Sequence, residues 1–184
     1  MGMICDRHLG GYFEEGDHRS WCPDLWDFLI AEQRIWTMLD IGCARGEAML
    51  YFEQRGIVVV GVDGCEEAIR SHYVPERAIC HDFTQGPWQP GRPFDLVWCS
   101  EFLEHVEERF LPNVLPALRG RVLALNAAVP GQGGWHHVNE QPPDYWIRAV
   151  SQLGFRHSAD LTAHCRGLCD PHTYFARNGL IFTA

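Results

Sequence analysis

The sequence predicts an α/β protein with one doubly wound sheet and helices on both of its faces. Apolar, β-branched runs alternate with helical patterns along most of the chain, which is typical of doubly wound sheets. The clearest run, IVVVGVD at residues 57–63, is almost continuously hydrophobic. Such runs are typical of parallel strands that are covered on both faces.

The predicted elements follow in chain order. The strands are residues 37–42, 57–63, 77–81, 94–100, 121–127, 155–161 and 178–184. A first helix over residues 21–36 has Pro23 near its start, and helices 46–55 and 65–72, one that begins at Glu101, and 142–154 lie between the strands. The last two strands have no predicted helix between them, so we expect an antiparallel hairpin at one edge of the sheet.

The composition is typical of a single globular domain. The chain has 184 residues, of which 46% are hydrophobic and 21% are charged, and its formal net charge is −9. It shows neither an apolar run long enough to cross a membrane nor the apolar N-terminal segment of a secretion signal, so we expect a cytoplasmic protein. The acidic balance disfavours extended binding to nucleic acid. We expect reduced, buried thiols at the cysteines in or beside apolar runs, namely Cys43, Cys65, Cys80 and Cys99.

A small-residue turn follows the first predicted strand, in the stretch LDIGCARGEAML at residues 39–50. In the dinucleotide-binding pattern G-x-G-x-x-G, the frame that starts at Gly42 places Ala44 and Glu47 at the other glycine positions. Glu47 puts a carboxylate in the first helical turn, where a pyrophosphate would lie, and this is unfavourable for an anion. The turn therefore favours another kind of ligand.

Carboxylates follow successive strands, at the edge where doubly wound sheets bind their ligands. They are Asp40, Asp63, Asp82 and Glu101. Such an edge suits a ligand that carries positive charge and ribose hydroxyls. Asp63 lies about 20 residues after the turn, which is the usual position of an acidic residue that accepts hydrogen bonds from a ribose.

These motifs resemble those of the class I S-adenosylmethionine-dependent methyltransferases. The matching segments are DIGCARG, VVVGVD, HDF and FDLVWCSEFLEHV, and the resemblance extends over about residues 37–184. It implies a Rossmann-like, seven-stranded sheet, mostly parallel with an antiparallel last strand, and S-adenosyl-L-methionine as cofactor. We expect residues 1–36 to form an N-terminal helical extension and residues 37–184 to form the methyltransferase domain.

The resemblance also implies which residues bind the cofactor. The methionine part would lie against Asp40, Gly42, Gly46, Ser100 and Glu101, the ribose against Asp63, and the adenine against Asp82 and Phe83. The expected cofactor-binding residues also include Cys43, Ala44 and Gly64. Ala44 differs from the third glycine that many members have at this position. Arg45 is bulkier than the residue usually found there.

Two segments offer catalytic groups. The E-x-x-E-H segment would place Glu101, Glu104 and His105 on one face of a helix, where they could bind a divalent cation. The later loop GGWHHVNEQPPDYW offers His136 and His137. The combination is similar to metal-dependent O-methyltransferases that act on the 3′-terminal ribose of small RNAs or in the ubiquinone pathway, and this similarity favours His137 as fourth ligand.

The same residues also have an interpretation without a metal. Glu104 and His105 would then pack and cap a helix, and either His136 or His137 would be the general base. The candidate catalytic residues are therefore Glu104, His105, His136 and His137, and the candidate metal ligands are Glu101, Glu104, His105 and His137.

Three further features leave alternatives open. The N-terminal segment around Gly10, Gly11 and Tyr12 forms either a lid over the pocket or a disordered tail with a surface helix. Four tryptophans either line a substrate pocket or belong to the core, namely Trp21, Trp88, Trp135 and Trp146. The segment HCRGLCDPH offers zinc ligands in a spacing unlike that of common zinc fingers, namely His164, Cys165, Cys169 and His172.

We predict a methyltransferase that acts on an oxygen of a small hydroxylated metabolite such as a sugar, as a monomer or homodimer. One alternative is an RNA methyltransferase that modifies a ribose 2′-oxygen or a base. It would need clustered basic residues, whereas arginines such as Arg45, Arg70 and Arg109 are dispersed along the chain. The other alternative is a non-catalytic accessory domain that binds S-adenosylmethionine.

Overall fold

The computed structural model describes residues 5–11 and 16–184, and its centre is a seven-stranded sheet. The strands are β1 (Thr37–Ile41), β2 (Val58–Asp63), β3 (Ala78–Cys80), β4 (Phe94–Ser100), β5 (Gly120–Asn126), β6 (Arg156–His157) and β7 (Leu180–Thr183). Their order is β3-β2-β1-β4-β5-β7-β6. β1 to β5 pair in parallel, whereas β7 is antiparallel to both β5 and β6. The predicted fold class and mixed seven-stranded sheet are confirmed.

Helices and 3₁₀ turns connect the strands. The α-helices are α1 (Pro23–Glu32), α2 (Glu47–Glu53), α3 (Glu66–Arg70), α4 (Leu111–Val114), α5 (Pro143–Ser151), α6 (Ala159–Leu168) and α7 (Tyr174–Asn178). Within the described ranges, no helix has the length and apolar character needed to cross a membrane.

Two apolar cores cover the two faces of the sheet. Successive residues of β1 point to opposite faces, so Met38 packs into one core and Leu39 into the other. The first core contains Trp26 of α1 and Phe175 of α7, and the second contains Trp146 of α5. Burial on both faces explains why the central strands are hydrophobic almost without interruption.

Two predicted elements are wrong. The helix expected from Glu101 is replaced by 3₁₀ turns at Leu103–His105 and Glu108–Phe110, because Glu101 adopts a left-handed conformation with φ +51°. The terminal hairpin is also absent, since α6 and α7 lie between β6 and β7 although these strands do pair in antiparallel fashion. The buried residues of α6 are Thr162 and Cys165 rather than large hydrophobic side chains, so its sequence lacks a clear apolar face.

The cysteines follow the prediction only in part. Cys43 and Cys99 are buried and free, as expected, whereas Cys80 is free but exposed. Cys65 is not a free thiol, because it forms a disulfide with Cys5, and the two Cα atoms lie 5.8 Å apart. These two residues are 60 positions apart, and nothing in their local sequence indicates the pairing.

Candidate functional site

Two neighbouring cavities lie at the carboxyl ends of the parallel strands. The main cavity has a volume of about 490 Å³ and is lined by the turn after β1, the end of β2 and the segment after β4. The small cavity, of about 40 Å³, lies beside the segment after β3. Leu9, Phe102 and His105 line both cavities.

The structure brings most of the predicted cofactor-binding residues to these cavities. The main cavity is lined by Asp40, Gly42, Cys43, Ala44, Asp63, Ser100 and Glu101, and the small cavity by Gly64, Asp82 and Phe83. The four predicted carboxylates therefore lie along one edge of the sheet. Gly46 lines neither cavity.

Asp63 fixes the geometry of the turn after β1. Its carboxylate accepts hydrogen bonds from the backbone N–H of Ala44 (2.9 Å) and of Cys65 (2.8 Å), which join the loops after β1 and β2. Burial raises the pKa of Asp63, although backbone hydrogen bonds from Cys65, Ala44 and Gly64 oppose this shift. Ala44 has φ +47°, a conformation that favours glycine.

Arg45 points away from the turn. Its Nε donates to the backbone oxygen of Ser71 (3.3 Å), and its guanidinium carbon lies 4.8 Å from the ring centroid of Tyr73. The bulk of this side chain therefore contacts the segment after α3. This placement explains how the turn accommodates an arginine.

Gly46 allows the turn after β1 to pack closely against His72. It has φ +81°, and a Cβ atom at this position would overlap the imidazole of His72, whose residue is only 7% exposed. The absence of a side chain lets the start of α2 pack directly on that ring. Gly46 therefore supports the shape of the turn through its packing on His72.

Glu104, His105 and His137 converge beside the main cavity. One ligand atom from each of the three lies within 4.8 Å of those of the other two. Residues 5–11 and 16–184 contain no second group of three such side chains that meets this distance. The four candidate zinc ligands at residues 164–172 therefore do not converge.

Backbone hydrogen bonds bring His137 to this group. The N–H groups of Val138 and Asn139 both donate to the backbone oxygen of Glu104, at 2.9 and 3.0 Å. The Glu104 side chain is fully buried, and its Oε1 accepts from the N–H of Ala128 at 3.2 Å. Its Oε2 is buried without a hydrogen-bond partner, so one carboxylate oxygen is left for a ligand.

Neighbouring groups orient both imidazoles. His137 Nδ1 lies 3.0 Å from Glu140 Oε1, and His105 Nδ1 lies 3.3 Å from the backbone oxygen of His136. These oxygens accept hydrogen bonds from the two Nδ1–H groups, which leaves each Nε2 with a lone pair. Burial is the main cause that lowers the pKa of His105 to about 4. His105 is therefore neutral at pH 7, the form in which imidazole binds metals.

Glu101 lies next to this group without belonging to it. Its Oε1 accepts a hydrogen bond of 2.5 Å from Asn126 Nδ2, and Asn126 Oδ1 accepts one of 2.6 Å from Ser100 Oγ. Burial raises the pKa of Glu101, and the charge of Glu104 raises it further. Asn126 therefore holds the Glu101 carboxyl group beside the three converging side chains.

The donor set fits a divalent cation. It combines a buried carboxylate oxygen that lacks a partner with two imidazoles that present lone pairs. Mixed nitrogen and oxygen donors of this kind suit first-row divalent metals. Glu104, His105 and His137 are therefore the residues that could hold one.

Other predicted residues are separated by the fold. His136 lines only the small cavity, whereas His137 lines only the main cavity. Trp21 and Trp135 line the main cavity, while Trp146 is buried in the second core and Trp88 packs against that core. Gly10 is buried and Gly11 is half-buried. Tyr12 falls outside the described residues.

Sequence reasoning missed several site residues. Glu140 is one, and its position three residues after His137 was a usable signal. Asn126 is another, and a polar residue at the end of the buried run RVLALN could have indicated it. Asp17, Arg19 and Tyr174 also line the main cavity, but they come from distant parts of the chain and have no shared motif.

Comparison with known proteins identifies the family and the fold. A family model described as a methyltransferase domain matches residues 13–122. No curated protein matches the sequence.

Several solved structures share the fold. A SAM-dependent methyltransferase from Archaeoglobus fulgidus has 18% identity and a TM-score of 0.63, with 92% of this chain and 96% of that chain covered. Magnesium protoporphyrin IX methyltransferase from Synechocystis PCC 6803 with bound SAH has 17% identity and a TM-score of 0.63, with 90% and 81% covered. The plantazolicin methyltransferase BpumL in complex with SAH has 13% identity and a TM-score of 0.59, with 90% and 83% covered. Since the family model spans more than half of the sequence, the chain belongs to the methyltransferase-domain family and is a class I S-adenosylmethionine-dependent methyltransferase.

Proposed function

We propose that the chain methylates a hydroxyl oxygen of a small hydroxylated metabolite such as a sugar, with a divalent cation held by Glu104, His105 and His137. The observation that carries this proposal is the convergence of these three side chains beside the main cavity. We also propose the cofactor positions implied by the resemblance, with the ribose at Asp63 and the methionine part along the turn after β1.

The chemistry explains why an oxygen acceptor needs such a site. The sulfonium already activates its methyl group, so the protein must chiefly align the acceptor with the S–CH₃ bond and exclude water. A hydroxyl acceptor must in addition lose its proton. A divalent cation bound here would lower the pKa of that hydroxyl and orient it. Glu140 keeps His137 in a fixed orientation for this role.

The charge of the site favours a small acceptor over RNA. The sequence contains no lysine, and its net charge is −9. Among the described residues that line the main cavity, Arg19 is the one arginine, while the carboxylates include Asp17 and Glu47. A polyphosphate chain would be repelled here, whereas a neutral polyol would not.

The test is a transfer assay with labelled S-adenosylmethionine and a panel of sugars and other polyols. We expect methylated product in the presence of Mg²⁺, Mn²⁺ or Co²⁺, a loss of about 100-fold or more after treatment with EDTA, and recovery when the metal is restored. Activity that survives EDTA and dialysis would show that the reaction needs no divalent cation, and His137 would then be the proposed general base.

The same assay separates the alternatives. Methylation of RNA that weakens steeply with added salt would favour the RNA methyltransferase. Tight binding of S-adenosylhomocysteine without a methylated product from either class of acceptor would favour a non-catalytic accessory domain.

A further inference from the structure

An N-terminal strap, which we define as residues 5–11, crosses the edge of the sheet at both cavities. At one end Cys5 is bonded to Cys65, which lies at the start of α3, two positions after Asp63. At the other end Gly10 lies so close to His105 that a Cβ atom on it would be 2.8 Å from the imidazole Cγ. The strap therefore extends from the end of β2 to the group of candidate metal ligands.

Leu9, in the middle of the strap, lies between the two cavities and lines both of them. Its Cδ2 would be 2.7 Å from a Cβ atom on Gly64, so it packs on the backbone immediately after Asp63. The proposed ribose ligand Asp63 lines the main cavity, and the proposed adenine neighbour Phe83 lines the small cavity. An adenosine group that reaches from one to the other must pass the position of Leu9.

The polar contacts of the strap, made by Arg7 and His8, are weak. The guanidinium carbon of Arg7 lies 5.8 Å from the Trp135 ring centroid, and His8 Nε2 lies 3.4 Å from Asp82 Oδ2. Arg7 and His8 are exposed, and contacts at exposed positions contribute little. The single 3₁₀ turn of the strap buries none of its residues. Leu9 and the buried Gly10 add packing against Gly64 and His105, and the disulfide is the covalent tie that keeps the strap at the cavities.

We propose that Cys5 and Cys65 form a redox latch, which in its oxidised state holds the strap across the cofactor cleft and slows the entry of the cofactor. This proposal rests on the cofactor positions of the proposed function but on neither its acceptor nor its cation. Leu9 blocks the path of the adenosine group while the bond is intact. Reduction releases the strap and opens the path.

The redox step is ordinary thiol–disulfide exchange. Cys65 is only 2% exposed whereas Cys5 is half-buried, so a thiolate of a small dithiol attacks Cys5 Sγ and Cys65 leaves as a thiolate. The second thiol of the dithiol then displaces Cys5, and the reductant becomes a disulfide while two protons complete the thiols of Cys5 and Cys65. In the reverse direction a low-molecular-weight disulfide accepts the two electrons.

The latch is tested by stopped-flow fluorescence of S-adenosylhomocysteine binding to the full chain, oxidised with glutathione disulfide or reduced with dithiothreitol. We expect the association rate constant of the oxidised protein to be lower by about tenfold or more. Cys5→Ser should bind at the fast rate under both conditions. Cys80→Ser, which removes an exposed free thiol, should retain the difference.

A second variant tests the role of Leu9 separately from the bond. Leu9→Gly keeps both cysteines and should recover most of the fast rate while oxidised. Equal rates for oxidised and reduced protein, with the bond verified by mass spectrometry, would overturn the latch, and so would failure of glutathione disulfide to form the bond. If reduced protein and Cys5→Ser both fail to bind S-adenosylhomocysteine, the proposed cofactor positions are wrong and the latch falls with them.

Discussion

We divide the proposed active site into a cofactor half, formed by the turn after β1 and Asp63, and an acceptor half, formed by Glu104, His105 and His137. The two halves differ in how completely their polar groups are paired. In the cofactor half, Asp63 accepts hydrogen bonds from two backbone N–H groups of the adjoining loops. In the acceptor half, Glu104 Oε2 is buried without a hydrogen-bond partner. A buried group without a partner costs roughly 1–3 kcal/mol. The acceptor half is therefore the part that a bound ion would complete.

The backbone shows the same contrast. The cofactor half is built on the ends of regular strands, where β1 pairs with both β2 and β4. The acceptor half follows the last residues of β4 and β5 and has two left-handed residues other than glycine, Glu101 and His136, where the cofactor half has one, Ala44. Such conformations are unfavourable for these residue types and persist where the surrounding structure imposes them, often at functional sites. The contrast predicts that the two halves can be disabled separately.

We expect Glu104→Gln, which removes a metal-binding carboxylate from the acceptor half, to give the largest effect. It should reduce methyl transfer while leaving nucleoside binding nearly unchanged. We expect kcat/KM for methyl transfer to fall about 1,000-fold, since the proposed cation is lost and no other group replaces it. Affinity for S-adenosylhomocysteine should change by less than about twofold, because Glu104 lines neither cavity. Transfer assays, calorimetry with the nucleoside and Mn²⁺ titration by electron paramagnetic resonance measure the three quantities.

The matched control for this prediction is Glu108→Gln, which changes an exposed carboxylate of the same segment that accepts a hydrogen bond from Tyr145 Oη at 2.8 Å and lines neither cavity. It should leave transfer, nucleoside binding and Mn²⁺ binding unaltered. Full Mn²⁺ affinity in Glu104→Gln would contradict the metal assignment, and a large loss of nucleoside affinity would contradict the separation of the halves.

The same contrast explains how much the sequence could predict. In the cofactor half, local patterns determine the result: β4 was predicted over its observed length, and β1, β2 and α2 were each predicted to within a few residues. The positions of Gly42 and Asp63 follow from these elements. A strand and the turn after it are encoded by neighbouring residues, so a single sequence suffices to place them.

The acceptor half depends on distant contacts. The prediction placed Glu101 and Glu104 on one face of a helix, whereas a 3₁₀ turn and the left-handed Glu101 bring them together. His137 reaches them because its neighbours in the loop bond to the backbone of Glu104 across more than 30 positions. The Cys5–Cys65 bond and the position of Tyr174 at the main cavity also depend on contacts between residues far apart in the sequence. Local sequence patterns do not predict such contacts.

A second prediction tests the rigidity of the cofactor half through a pair of glycines. Gly46 and Gly56 have similar φ angles, +81° and +78°, but a Cβ atom meets the His72 ring at Gly46 and nothing within 4 Å at Gly56. Gly56→Ala should lower the free energy of unfolding by about 1 kcal/mol, from backbone strain alone. Gly46→Ala should lower it by about 3 kcal/mol, because overpacking adds to that strain.

Urea denaturation measures both glycine variants, and calorimetry with S-adenosylhomocysteine shows whether the turn survives. We expect only Gly46→Ala to weaken nucleoside binding. Equal losses of stability in the two variants would mean that His72 moves aside without cost, and the turn would then be less rigid than its packing indicates.

The smallest expected effect concerns Asp40, the one buried carboxylate of β1. Burial raises its pKa well above the usual value of 3.8, and the charges of Asp63 and Glu47 raise it further. The folded protein therefore binds this proton more tightly than the unfolded chain does. The resulting stabilisation is fully present below about pH 4 and is lost as the pH rises through the raised pKa of the folded state.

Asp40→Asn removes this dependence while keeping the shape of the side chain. Measured without the cofactor, its free energy of unfolding should exceed that of the wild type by on the order of 1 kcal/mol at pH 8, and the difference should shrink towards pH 4. Glu101 and Glu104 titrate in both proteins, so the difference curve isolates Asp40. A flat difference curve for Asp40→Asn would show that folding does not raise the pKa of Asp40, and the contrast between the halves would then be greater than the structure indicates.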